Sequence, residues 1–273
     1  MSFHRFLSEI NSSVWLLDPR QSTNYQKILN TILSGGFLNE TKPEMNAIMG
    51  KKEMLPNGES RLVNKVAVID FVGALTKNGG PCSYGALDIS TTILQLNDDP
   101  ELEGFIFFFD GPGGSADAYP VFQQLAKKIT KPAVGLIDQA CSLHYWTAVT
   151  LCDRLMMTND LTAEVGSVGA LISFDKEMKD IIIVTAPESY DKAADFIAAQ
   201  KDDHKPLQEK LSALAKPFMS SVKKLRPNIP DEALHGKVYG AKEAIKLGMV
   251  DSMGDIDKAY STVLTLAKLK TLK

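Results

Sequence analysis

The stretch Gly104-Phe105-Ile106-Phe107-Phe108-Phe109-Asp110-Gly111-Pro112-Gly113-Gly114-Ser115 decides how the chain is read. Gly104–Phe109 is apolar throughout and has the length of a strand rather than of a helix. The glycines at 111, 113 and 114 end it abruptly. A strand without a polar face is covered on both sides, as in a parallel sheet with helical crossovers. Runs of the same kind recur at Val66–Val72, Ala133–Ile137, Arg154–Met157, Val168–Ile172 and Ile181–Val184. Amphipathic stretches lie between them at about Leu87–Leu96, Ala116–Ile129 and Ser142–Leu151. The pattern predicts an α/β core from about residue 62 to about 185. Helices over Leu207–Leu225, Ala241–Leu247 and Asp255–Leu269 follow, with Gly248 at the C-cap position of the second.

Residues 1–60 have a different character. Tyr25, Ile28, Leu29, Ile32 and Leu33 give Ser22–Leu38 a helical spacing, which Gly35-Gly36 stops. Asn39–Arg61 is polar, contains Pro43 and Pro56, and reads as a loop or linker. The expected division is a helical arm and linker over 1–60 and one domain over 61–273.

Composition excludes several classes of function. The 273 residues are 44% hydrophobic and 23% charged, which argues against disorder. Thirty basic against 33 acidic residues leave a net charge of -3, too balanced for a strongly basic nucleic-acid binder. Cys82, Cys141 and Cys152 are too few for a disulfide framework and suit a reducing compartment. No stretch approaches the ~20 apolar residues of a membrane span. Glu9 and Asn11 interrupt what an export signal would keep apolar. The expectation is a cytoplasmic protein with no membrane span and no nucleic-acid partner.

Four segments could carry chemistry. Asp110-Gly111-Pro112-Gly113-Gly114-Ser115 follows a strand and lets backbone N–H groups face a ligand. It lacks the Gly-Lys-Ser/Thr of a phosphate loop and the spacing of a dinucleotide turn. What remains is a donor site for an oxyanion or for the main chain of an extended substrate. In Asp138–Trp146, also after a strand, Ser142 stands where a helix starts, near unpaired N–H groups and the positive end of the dipole. That position suits a nucleophile beside an oxyanion site; it equally suits a plain N-cap. Cys141 competes as a nucleophile with His144 nearby, although a residue before the helix does not share its face, and a lone histidine is more often structural. Glu164-Val165-Gly166-Ser167-Val168-Gly169 suggests close backbone approach. Pro187–Lys192 follows the last apolar run, with Lys192, Lys201 and Lys205 among many solvated lysines.

In this order the segments resemble the signal peptide peptidase A family of serine peptidases and its phage head-protein relatives, which share the crotonase-like fold with the Clp proteolytic subunit. The family's Ser-Pro-Gly-Gly is similar to Gly111-Pro112-Gly113-Gly114. Its Ala-Ser-Gly-Gly-Tyr-Trp is similar to Cys141-Ser142-Leu143-His144-Tyr145-Trp146, and its Thr-Gly-Ser-Ile-Gly to Val165-Gly166-Ser167-Val168-Gly169. Its Gly-Arg-Val-Tyr…Gly-Leu-Val-Asp…Gly is similar to Gly236-Lys237-Val238-Tyr239 through Gly248-Met249-Val250-Asp251 and Gly254. The resemblance implies a ClpP/crotonase-like spiral of βαβ units with a helical N-terminal segment and C-terminal helices. It implies a Ser/Lys dyad: Ser142 as nucleophile, Lys192 as base with Lys201 as the alternative, and Ser167 hydrogen-bonding the amine. It also implies an oxyanion and substrate site at Gly113, Gly114 and Leu143. Three positions depart from the family: Gly111 replaces a serine, and Leu143 and His144 replace two glycines.

The activity so implied is that of a serine endopeptidase acting on a polypeptide, without cofactor or metal, in a homo-oligomer. Trp15-Leu16-Leu17-Asp18-Pro19 resembles the phage head-maturation branch, whose substrates are capsid or scaffold proteins. An inactive structural member of the same fold is the alternative favoured by Ser142-Leu143-His144. An acyl-CoA enzyme is a third, predicting paired carboxylates and an adenine pocket for which the sequence carries no clear signal. Residues 1–60 would pack on a neighbour, or dock on or be cut from their own chain.

Overall fold

The computed structural model describes residues 5–6, 8–9, 14–18, 20, 42, 44–80, 83–171 and 182–272. The elements in chain order are β1 (Trp15–Leu17), β2 (Asn46–Met54), β3 (Ser60–Val72), α1 (Ala86–Asn97), β4 (Leu102–Gly111), β5 (Gly113–Ser115), α2 (Tyr119–Ala126), β6 (Ala133–Cys141), α3 (Leu143–Leu151), β7 (Arg154–Met157) and β8 (Glu164–Gly166). Then come α4 (Ala194–Gln200), α5 (Lys205–Leu225), β9 (Val238–Gly240), α6 (Ala241–Lys246), β10 (Ser252–Met253) and α7 (Ile256–Thr271).

The main sheet runs β10-β7-β6-β4-β3-β2. All its neighbours pair in parallel except the hairpin of β2 with β3. Helices α1, α2 and α3 carry the chain between parallel strands, which is the βαβ arrangement that the apolar runs predict. Alternate residues of β4 serve two cores, as the period of a strand requires. Phe105, Phe107 and Phe109 join the larger core, where Phe71 stands 4.8 Å from Phe109 and 5.5 Å from Phe122 between ring centroids. Ile106 packs with Val66, Val134 and Val263 in a second core on the other face, beneath α7.

Helix α3 is buried on every side, from Leu143 to Val149 and again at Leu151, as expected of a helix with no polar face. Trp146 stacks between Tyr119 of α2 at 3.6 Å and Phe218 of α5 at 4.5 Å. The Tyr145 hydroxyl donates to the Met249 carbonyl at 2.9 Å. These contacts hold the start of α3 against the sheet.

Three expectations need correction. The polar stretch Asn39–Arg61 contains β2, a nine-residue strand of the main sheet, so the β2–β3 hairpin straddles residue 60. Its polar side chains hide the strand because both faces of this edge are largely exposed. The described parts of Val168–Ile172 and Ile181–Val184 lie outside any strand, and Ile182 and Val184 are exposed. The expected helix Ser22–Leu38 and Cys82 lie outside the described residues. Among the described residues no helix is long and apolar enough to cross a membrane.

Candidate active site

The C-terminal ends of β4, β6 and β8 converge. Strand β6 pairs with β7 along its first half and with β8 at its end, where Cys141 stands opposite Gly166. The next residues on each strand, Ser142 and Ser167, are therefore neighbours beyond the sheet edge. Both take a positive φ, 52° and 53°. The Ser142 N–H donates to the Gly166 carbonyl at 2.8 Å, and the Ser167 N–H to the Lys237 carbonyl at 2.9 Å. Main-chain bonds thus hold each serine in a backbone region that L-residues avoid.

Ser142 precedes α3 with ψ of -118° and its side chain does not cap the helix. Its hydroxyl is not consumed in the N-cap role that the position suggested, and the residue is only 2% exposed. Leu143 is the first residue of α3, so its N–H is among the first-turn donors without an intrahelical partner.

The glycine segment approaches from β4. Gly113 has φ of 126°, and its N–H donates to His144 Nδ1 at 3.0 Å. That N–H is committed to the imidazole. Since Nδ1 accepts, the ring proton belongs on Nε2, which has no hydrogen-bond partner among the described residues. Nε2 faces Gly111, where a Cβ would stand 2.4 Å from both Cε1 and Nε2. His144 is thus a structural histidine that anchors the glycine loop. Burial pulls its pKa down to about 3, against weaker opposition from the main chain of Phe71 and Gly113.

Acid should therefore weaken the fold. The folded pKa lies below the ordinary value of about 6.5, so the unfolded chain takes up the proton first. The stability held by the neutral ring is complete above about pH 6.5 and declines as pH falls towards 3. Between pH 6.5 and 5 the wild type should lose about 2 kcal/mol through this group. Urea unfolding at the two pH values checks this, and His144→Gln should lack that component of the slope.

Cys141 is unsuited to nucleophilic attack. Burial raises its thiol pKa, and the charges of Glu164 and Asp18 raise it further. Asp18, Cys141 and Glu164 bring ligand-type atoms within 4.8 Å of one another. Arg20 already bridges the two carboxylates, with Nη2 2.6 Å from Glu164 Oε1 and paired to Asp18. Burial raises the Asp18 carboxyl pKa, but its hydrogen bonds with Arg20 outweigh this and leave it lowered.

The structure therefore groups Ser142, Ser167, Gly113, Gly114 and Leu143. Among the described residues no hydrogen bond or ion pair joins Lys192 to them. Lys192 follows a short 3-10 turn, Pro187–Ser189, and is exposed, as is Lys201. Among the described residues no hydrogen bond or ion pair joins either lysine to Ser142. Arg20 escaped the sequence reading, which places Asp18 and Glu164 within the Trp15–Pro19 and Glu164–Gly169 segments but gives neither a role.

The family model of peptidase family S49 matches residues 125–270, more than half of the chain. The chain belongs to peptidase family S49. The S49 match takes in α3 with the start of the helix at Ser142, the Gly166-Ser167 turn and all the C-terminal helices. The parallel sheet with its crossover helices is the α/β architecture that the sequence resemblance implies. Protease 4 of Salmonella typhi is 27% identical over 218 residues, covering 75% of this chain. The chain spans only 35% of that protein, about a third of its length. A putative signal peptide peptidase SppA of Enterococcus faecium is 22% identical over 259 residues, covering 88% of this chain and 73% of that protein. Among solved structures, a mutant of the 1510-N membrane-bound stomatin-specific protease superposes with a TM-score of 0.48 at 15% identity, over 70% of this chain and 80% of that one.

Proposed function

We propose that this S49 chain is a serine endopeptidase whose nucleophile is Ser142. The observation that carries the reading is the placement of Ser142: buried, uncapped, and held with positive φ directly before α3. A hydroxyl there attacks a peptide carbonyl, and the developing oxyanion meets the Leu143 N–H at the positive end of the helix and the Gly114 N–H. A neutral lysine amine accepts the serine proton and returns it to the leaving amine. Water, deprotonated by the same amine, then releases the acyl group. Lys192 is the base in this reading, with Lys201 as the alternative, and Ser167 hydrogen-bonds the amine.

Burial is what makes a lysine a base near neutral pH. Lys192 is exposed on the single chain, and around it Ile182, Val184 and Tyr190 are 89%, 86% and 75% exposed. Assembly into a homo-oligomer that covers this segment would supply the burial. The substrate is a polypeptide. Capsid or scaffold protein in an immature phage head is the specific proposal, resting on the likeness of Trp15–Pro19 to that branch, and a cytoplasmic setting goes with it.

A fluorophosphonate probe tests the assignment. The wild type should label, Ser142→Ala should not, and Lys192→Ala should label at least about 10²-fold more slowly, the usual loss of a general base. Slow labelling in Lys201→Ala instead would move the base. The structural, inactive alternative is favoured by the lack, among the described residues, of an amine hydrogen-bonded to Ser142. A folded chain that never labels, whether residues 14–18 are in place or loosened, would establish it.

A further inference from the structure

Strand β5 is used along both edges. On one side the Leu75 N–H donates to the Gly113 carbonyl at 2.9 Å and the Ser115 N–H donates to the Leu75 carbonyl at 2.8 Å. On the other side lies β1, antiparallel, with Trp15 opposite Ser115, Leu16 opposite Gly114 and Leu17 opposite Gly113. The Ala116 N–H donates to the Val14 carbonyl and the Asp18 N–H to the Pro112 carbonyl, each at 2.8 Å. Hydrogen-bonded pairs alternate along an antiparallel ladder, so Leu16 and Gly114 form the bonded pair between these two. The Gly114 N–H is thereby aimed at the Leu16 carbonyl. The Gly113 N–H, in the non-bonded pair, faces the other way, as its bond to His144 requires. The fit admits no side chain, since a Cβ on Gly113 would stand 1.9 Å from the Leu16 carbonyl oxygen.

The arm is fastened on both sides of β1. The Glu9 carboxylate, 5% exposed, accepts from the Asn78 N–H at 2.8 Å, the Asn78 side chain at 3.0 Å and the Lys77 N–H. Past β1, Asp18 is 1% exposed, and Arg20 reaches Glu164 beside the Ser142 turn. Leu16 is 1% exposed and packs into the main core.

We propose that Val14–Asp18 is an internal occupant of the peptidase's substrate groove, holding the edge of β5 that an extended polypeptide needs and setting the Leu16 carbonyl on the oxyanion donor Gly114. The inference rests on the peptidase reading. An extended chain reads a strand edge through its main chain and is selected by alternate side chains. The substrate that displaces the arm is thus an extended segment with an apolar side chain where Leu16 sits. Tethering gives the arm an effective concentration on the order of millimolar, so a weakly bound polypeptide does not displace it.

The test uses the full chain. Trp15 and Ser115 form a non-bonded pair, about 4.5 Å between Cα atoms and within disulfide reach. In Trp15→Cys/Ser115→Cys, oxidation should cut fluorophosphonate labelling of Ser142 at least tenfold, and dithiothreitol should restore it. Glu9→Gln/Arg20→Gln loosens the arm and should label at least tenfold faster than the wild type. A synthetic peptide of residues 12–20 should reverse that gain, and the same peptide carrying Leu16→Asp should not. If the locked and loosened chains label at the wild-type rate, β1 is scaffold and the proposal falls while the peptidase reading stands. If no chain labels, reduced or loosened, both fall. Should the loosened chain fail to fold by circular dichroism, the disulfide pair decides alone.

Discussion

Ser142→Gly should give a protein that no longer reacts with a serine-directed probe and yet unfolds at a higher temperature than the wild type. The two effects have separate causes. Loss of the hydroxyl removes the proposed nucleophile, and the remaining donors retain only a small part of catalysis, so a drop of at least about 10³-fold is expected. The gain in stability comes from the backbone. Ser142 holds φ of 52° and ψ of -118°, a region that costs a residue with a Cβ about 1–3 kcal/mol. Glycine enters it freely, although its looser unfolded chain returns about 0.5–1 kcal/mol of that gain. The net change should be about +1 kcal/mol, a rise of about 2–4 °C for a domain of this size. Ser142→Ala keeps the Cβ and the strain, so it should lose labelling without gaining stability. Thermal unfolding of the two variants side by side is the measurement. If glycine proves no more stable than alanine at 142, the backbone there is not strained.

Gly111→Ser should destabilise the fold by about 3 kcal/mol as an overpacked core position. A Cβ at 111 meets the His144 imidazole at 2.4 Å and the Gly73 carbonyl at 2.5 Å. Adding His144→Gly should recover part of the loss, with a coupling of about 1–2 kcal/mol between the two positions. Recovery stays incomplete because the Gly73 carbonyl remains. Chemical unfolding of the wild type, the two single variants and the double variant measures the coupling. Additive losses would show that the two residues do not share this space.

That pair also accounts for two of the three departures from the family motif. Read along the chain, a glycine in place of serine at 111 and a histidine in place of glycine at 144 look unrelated. In the fold they face each other across the ends of β4 and α3, and the missing Cβ on one makes room for the ring of the other. The glycine loop is anchored here through Nδ1 of His144, which accepts from the Gly113 N–H.

The order of strands and helices was legible in the chain because it depends on local patterns. Val66–Val72, Gly104–Phe109 and Ala133–Ile137 are apolar on both faces, and such runs have one stable use, inside a covered parallel sheet. The turns at Gly111–Gly114, Ser142 and Gly166-Ser167 were legible for the same reason, since small residues after a strand mark close backbone approach. The strand β2 was not, because an edge strand exposed on both faces carries no apolar period to read.

What occupies the open edge of β5 was decided only by tertiary structure. Whether Trp15–Leu17 or a foreign chain takes it depends on which main-chain donors remain unpaired once the sheet is closed, and no window of sequence contains that information. The same holds for the neighbourhood of Ser142. Adjacent register on β6 and β8 set Ser167 beside it, while Lys192, the proposed base, stands on an exposed turn. Periodicity determines which faces of an element are apolar; the choice of partner for an unpaired backbone edge or a buried ring nitrogen is a long-range competition, settled by packing.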